Sequence, residues 1–164
     1  MIQASEPNGW YALVDTAQDP ALYPLVLQSG QQQCLISGEV TPVLAATFPY
    51  IVSLETDGPL AAAWRLRGGE GNWGLILQSA LSIDALRLHF KKFLSVRLPD
   101  GRVVQFRFYD PRVFRSYLHT ATPAEREPWF RGVARYWIEG ARPGQTHDYR
   151  FAEGQLFDGN VAVA

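Results

Sequence analysis

Residues 73–113 read WGLILQSALSIDALRLHFKKFLSVRLPDGRVVQFRFYDPRV. The apolar run 73–78 has the length and composition of a buried strand. Ser82 then stands as an N-cap, and Ile83, Leu86, Phe90, Phe93 and Leu94 recur at helical spacing while Asp84, Arg87 and Lys91 fall on the opposite side. That pattern predicts a long helix over 83–94. Pro99-Asp100-Gly101-Arg102 follows, and its Asp-Gly pair supplies the positive φ of a hairpin turn between strands over 95–98 and 103–109. Strand alternation puts Val104, Phe106 and Phe108 on one face and Gln105, Arg107 and Tyr109 on the other. Asp110-Pro111 then opens a helix over 112–118, with a capping side chain followed by the residue best suited to the first helical position.

The same reading extends outward in both directions. Strands are predicted at 11–15, 34–37 and 50–54, interleaved with helix starts at Asp19-Pro20, Thr41-Pro42 and Pro59. The Ala-rich helix over 60–67 should close on Gly68-Gly69 as a glycine C-cap. Thr122-Pro123 with Glu125 forms a capping box, and Pro128 keeps that helix short. Two further strands, 133–138 and 148–151, are joined by a loop with Gly and Pro, and 154–164 shows no periodicity and reads as a frayed tail. The expected architecture is one α/β domain over 1–153, a mixed β-sheet with flanking helices and an appended C-terminal β-hairpin at about 131–153.

Composition narrows the function. The chain has 164 residues, 47% hydrophobic and 19% charged, enough apolar surface for a core without disulfides. A formal net charge of −1 offers no broad phosphate-neutralising surface, so nucleic acid is not the expected partner. No Lys or Arg precedes Arg65, whereas six acids do, and 13 of the chain's 15 cations are arginines. Two readings follow: charge-complementary halves that pack together in one fold, or a polar surface with one basic, Arg-rich docking face. Cys34, the single cysteine, lies in an apolar run and reads as a buried thiol in a reducing compartment. The first six residues lack a basic and then apolar leader, and no window reaches the roughly 18 apolar residues of a membrane span. The expected location is the cytoplasm, with no membrane partner.

Gly69-Glu70-Gly71-Asn72-Trp73-Gly74 satisfies G-x-G-x-x-G, but a dinucleotide needs the strand before the glycines and the helix after them. Here the order is reversed, so no cofactor is expected. His89, His119 and His147 lack metal-ligand spacing, and no G-x-S-x-G elbow or thiolate-favouring feature marks a nucleophile. Neither a metal nor catalysis is expected.

The pieces "WYALVDTA", "CLISGE", "PYIVSL", "WGLILQS", "LRLHFKKFLSVRLPDGR" and "FRFYDPRV", in that order over roughly 10–130, resemble the type VI secretion effector-chaperone family, adaptors catalogued as a domain of unknown function. The resemblance implies a cytoplasmic, non-enzymatic adaptor that holds a secreted effector and helps load it onto a VgrG-type spike protein. Members of that family commonly continue into a sizeable C-terminal lobe, where this sequence carries a hairpin and a short tail. A toxin-neutralising immunity protein is the leading alternative, and a small hydrolase the third.

Residues 129–157 hold seven of the 21 aromatics together with Arg131, Arg135, Arg142 and Arg150. Trp, Tyr and Arg dominate binding hot spots, although the same aromatics could simply close a core. Alternation puts Arg135 and Trp137 on one strand face and Tyr136 and Ile138 on the other. The expected partner-binding residues are Trp129, Arg135 and Trp137, with Arg107 and Tyr109 of the hairpin next in line.

Overall fold

The computed structural model describes residues 8–164, so the leader reading of the first six residues lies outside it. The chain is a single α/β domain built on a large sheet. Its first half runs β1 (Gly9–Asp15), α1 (Leu22–Leu27), β2 (Gln32–Cys34), α2 (Pro42–Ala45), β3 (Pro49–Ser53) and α3 (Pro59–Ala63). A π-helical turn (Trp64–Gly68) and the short α4 (Gly69–Gly71) lead into β4 (Gly74–Ser79) and α5 (Ile83–Lys91). The hairpin β5 (Ser95–Arg97) and β6 (Val103–Gln105) precedes α6 (Pro111–Thr120), α7 (Pro123–Arg126) and a 3₁₀ turn (Glu127–Phe130). Four strands finish the chain: β7 (Val133–Glu139), β8 (Thr146–Ala152), β9 (Gln155–Asp158) and β10 (Val161–Ala162).

The main sheet has eight strands in the order β10-β9-β8-β7-β4-β1-β3-β2, and the hairpin pairs separately. Each ladder in the main sheet is antiparallel, so the parallel component implied by a mixed sheet does not form among the described residues. The same-direction strands are present but never adjacent: β1 and β2, joined through α1, flank β3, and β3 and β4, joined through α3 and α4, flank β1, so each neighbouring pair is antiparallel.

The sheet buries both faces over its centre. On one, Leu13, Ile51, Leu75, Leu77, Tyr136 and Tyr149 pack against Leu86 and Phe90 of α5 and Phe114 and Leu118 of α6. On the other, Ala12, Val14 and Val52 meet Leu22 and Val26 of α1 and Leu60, Trp64 and Trp73. Full burial of one such large side chain stabilises by about 1.5–3 kcal/mol. Local capping signals appear where the sequence places them. Ser82 accepts from the Ala85 N–H, Thr41 from Leu44 and Asp110 from Arg112, and Thr122 with Glu125 completes a capping box.

Several expectations change. Gly68-Gly69 does not end the helix: the helical run continues to Gly71 and stops at Asn72, whose φ of 51° is the left-handed cap. Gly68 and Gly71 are small for packing reasons, since a Cβ on them would lie 2.4 Å from the Trp64 ring and 2.3 Å from the Trp73 ring. Asp19 accepts from the Ala21 N–H in a turn, and α1 begins at Leu22. The second hairpin strand stops at Gln105, because Phe106–Asp110 curl into a turn closed by the Asp110 N–H on the Arg107 carbonyl at 3.1 Å. The C-terminal hairpin is part of a longer extension, four strands added to the β4 edge. Gln155–Asp158 and Val161–Ala162 are therefore strands rather than a frayed tail.

Candidate functional site

The β7 strand decides the first site by alternation. Tyr136 and Ile138 point into the core, and Trp137 points away from it with 41% of its surface exposed. The β4 register places Ile76 opposite Trp137, and β1 brings Trp10 alongside, so the two indoles meet with centroids 4.5 Å apart. Beyond them the sheet face opens onto Arg135, which is paired to Asp148 of β8 at 3.3 Å. Between this face and the π-helical turn lies an open cleft of about 480 Å³, whose walls include Trp10, Leu54, Trp64, Ile76 and Trp137.

Glu139, the last residue of β7, lines the same cleft. Burial pushes its carboxyl up to about 7, although the Asn72 backbone N–H and the Arg115 charge both pull the other way. Its Oε1 is buried without a hydrogen-bond partner among the described residues. Arg115 donates to the Glu139 carbonyl rather than to its carboxyl, which has no side-chain hydrogen-bond partner among the described residues. Arg65, the other charged residue of the lining, donates to the Thr56 carbonyl at 2.9 Å.

A second groove, of about 660 Å³, lies where the hairpin stands off the sheet. Asp15, buried at the end of β1, holds the Arg107 guanidinium at 2.7 Å, and that guanidinium sits 5.9 Å from the Tyr109 ring centroid. Gln105 donates to the Tyr109 hydroxyl at 3.2 Å. Burial raises the Tyr109 pKa, so this phenol stays protonated. Val103 and Val104 of β6 line this groove and remain exposed. The Asp15–Arg107 pair joins the acidic first part of the chain to the Arg-rich remainder, whereas the other ion pairs among the described residues fall within the remainder.

The five sequence-predicted docking residues thus separate. Arg135 and Trp137 share the open face of β7, and Arg107 is half-exposed in the hairpin groove. Trp129 is a core residue, 3% exposed, stacked on Phe93 at 3.8 Å and edge-on to Phe108. Tyr109 is also 3% exposed, because the turn after Gln105 breaks the alternation that would have faced it outward. Sequence reasoning missed Trp10, Trp64 and Glu139. Trp10 shares the strand parity of Ala12 and Val14, a usable signal for its face but not for its neighbour.

The histidines are not an isolated set either. His119 bonds the Tyr149 hydroxyl at 2.6 Å and His147 bonds Asp158 at 2.5 Å, with the two rings 6.4 Å apart. Each of these two imidazoles is bonded within the fold, whereas the buried Nε2 of His89 has no partner among the described residues.

The geometry defines a one-domain α/β protein with two open clefts at opposite ends of β1. The chain matches the model of a domain of unknown function, DUF4123, over residues 10–128, and it belongs to that family. No curated protein and no solved structure matches it. The matched stretch ends before β7, so Trp137 and Glu139 stand on the extension that continues the family's part of the sheet. No helix among the described residues is long and apolar enough to cross a membrane.

Proposed function

We propose that the protein is a cytoplasmic, non-enzymatic adaptor that binds a type VI secretion effector and helps load it onto a VgrG-type spike. The six motifs from "WYALVDTA" to "FRFYDPRV" support the effector-chaperone reading, and membership of the DUF4123 family is compatible with it. The observation that carries it is the open face of β7. There, Trp137 and Trp10 form an exposed aromatic surface beside Arg135, on a domain whose other large aromatics are mostly packed inside. An exposed Trp beside a partly buried Arg on a rigid strand presents the side-chain types that anchor protein interfaces.

Reconstitution tests this. The protein is co-expressed with candidate type VI effectors and a VgrG-type spike from the same genome, and complexes are separated by size exclusion. A stable complex with the effector, and a ternary complex with the spike, is the expected result. Absence of both complexes, together with growth protection against a neighbouring toxin, would instead make the chain an immunity protein.

A further inference from the structure

The cleft below Trp137 holds a group that the fold would be better without. Glu139 is half-buried at the end of β7, its Oε1 is shielded from solvent without a partner among the described residues, and burial holds its carboxyl well above the ordinary range. A neutral amide of the same shape would cost less to bury. A carboxyl kept where an amide would bury at lower cost is the kind of group that clusters at functional sites. Three indoles line the same cleft: Trp10 and Trp137 in contact with each other, and Trp64 on the π-helical turn. Trp64 stands on a π-helical turn, a local geometry that recurs at functional sites. Aromatic faces attract cations through their quadrupole, and desolvation strengthens the attraction.

We propose that this cleft receives the side chain of a lysine or arginine presented by a partner polypeptide, with its stem against the Trp10–Trp137 pair and its cationic head at the Glu139 carboxylate. The charge complement is the buried carboxylate, and the long methylene stem matches the apolar walls. A polypeptide is the occupant because the cleft is open and runs onto the β7–β8 face, where the Arg135–Asp148 pair extends the contact surface beyond one side chain. The identity of the partner rests on the adaptor reading; the chemistry of the pocket does not.

Calorimetric titration of the full chain with N-acetyl-Gly-Lys-Gly amide and its arginine, norleucine and glutamate counterparts tests this, with tetramethylammonium as a free cation. The lysine or arginine peptide should bind roughly tenfold more tightly than norleucine. Glu139→Gln should lose about that factor while melting no lower than wild type, and Trp137→Ala should lose a similar factor. Glu153→Gln, at the exposed β8–β9 turn, should bind as wild type does. Equal binding of norleucine, preference for the glutamate peptide through Arg65, or full affinity in Glu139→Gln would overturn the proposal. Tetramethylammonium binding as tightly as the lysine peptide would also overturn it, by assigning the site to a free cation. Failure of the adaptor reading looks different. Lysine peptides would still discriminate at Glu139 while the candidate effectors and spike form no complex. An effector captured equally by wild type and Glu139→Gln, without peptide discrimination, removes the cation site and leaves the adaptor reading standing.

Discussion

The indole of Trp137 lies against that of Trp10 with centroids 4.5 Å apart and planes inclined by 42°, joining the first strand of the chain to the strand that follows the family-matched stretch. This contact is on the open side of the sheet, and its energetic role differs from that of the buried tryptophans.

Trp137→Ala and Trp129→Ala should therefore separate stability from binding. Trp129 fills an aromatic nest of Phe93, Phe108 and Phe114, and truncation should cost about 3–5 kcal/mol. Trp137→Ala should leave the melt nearly unchanged yet weaken effector capture by about thirtyfold, the factor for loss of a hot-spot anchor of about 2 kcal/mol. Thermal melts and a titration against the effector measure both; equal destabilisation by the two variants would place Trp137 in the core's energetics.

Asp110→Ala should cost about 0.5–2 kcal/mol through loss of the α6 cap. The carboxylate accepts from the Arg112 N–H at 2.9 Å and pairs with its guanidinium at 2.7 Å. Burial alone would raise its pKa, but these Arg112 contacts outweigh burial and hold it below the usual range. A depressed acid contributes stability above its unfolded pKa and loses it as pH falls through the folded value. The difference between wild type and Asp110→Ala should accordingly narrow below about pH 4. A purified variant with an unchanged melting temperature and abolished partner binding would make Asp110 an interface residue.

His89 and His119 predict sensitivity at milder pH. Burial lowers both pKa values below 6.5, with only partial compensation at His89 from the Trp129 backbone, while the neighbouring His147 lowers His119 further. In the window below 6.5 the unfolded chain binds more protons at these positions. The histidine contribution to stability should then fall as the pH drops from 7.5 to 5.5, so wild type should lose stability relative to the double variant His89→Gln, His119→Gln across that range. An unaltered slope in the double variant would contradict the assignment.

Glu139 acts with the opposite sign. Its folded pKa of about 7 lies above the ordinary 4.5, so the folded state holds the proton longer and stability declines as pH rises between those values. Glu139→Gln should gain roughly 1 kcal/mol at pH 8, after solvent screening of a partly exposed group, and nothing at pH 4. Chemical denaturation at both pH values checks this. A variant less stable than wild type at pH 8 would mean that the carboxylate holds the fold together.

The glycine motif should bind no nucleotide, because helix precedes strand and no helix N-terminus meets a phosphate. Gly74→Ala should prevent folding instead, since a Cβ there would lie 1.7 Å from the Leu13 carbonyl oxygen. Calorimetry with NAD, NADP, ATP and GTP, and circular dichroism of the variant, measure the two; micromolar binding of any nucleotide would reverse the reading.

Ser82, Asp110 and the Thr122–Glu125 box are legible in sequence because capping is decided within four residues. The same holds for the faces of β7, where period-two alternation separates Trp137 from Tyr136. Tyr109 is misplaced by that rule because the strand ends four residues earlier, in a turn without a glycine to announce it. The pairing of β7 with β4 is long-range, and with it the meeting of Trp10, Trp137 and Glu139 in one cleft. No local pattern encodes which strand becomes a neighbour, so this half of the site appears only once the sheet order is known.

The most direct measurement is the type VI secretome of the native strain, compared by quantitative mass spectrometry among the parent, an in-frame deletion, and the deletion complemented with wild-type or Trp137→Ala protein. The adaptor role predicts that one effector disappears from the medium on deletion while the other secreted proteins persist, that wild type restores it, and that Trp137→Ala restores it poorly. Unchanged release of every effector in the deletion strain would contradict it.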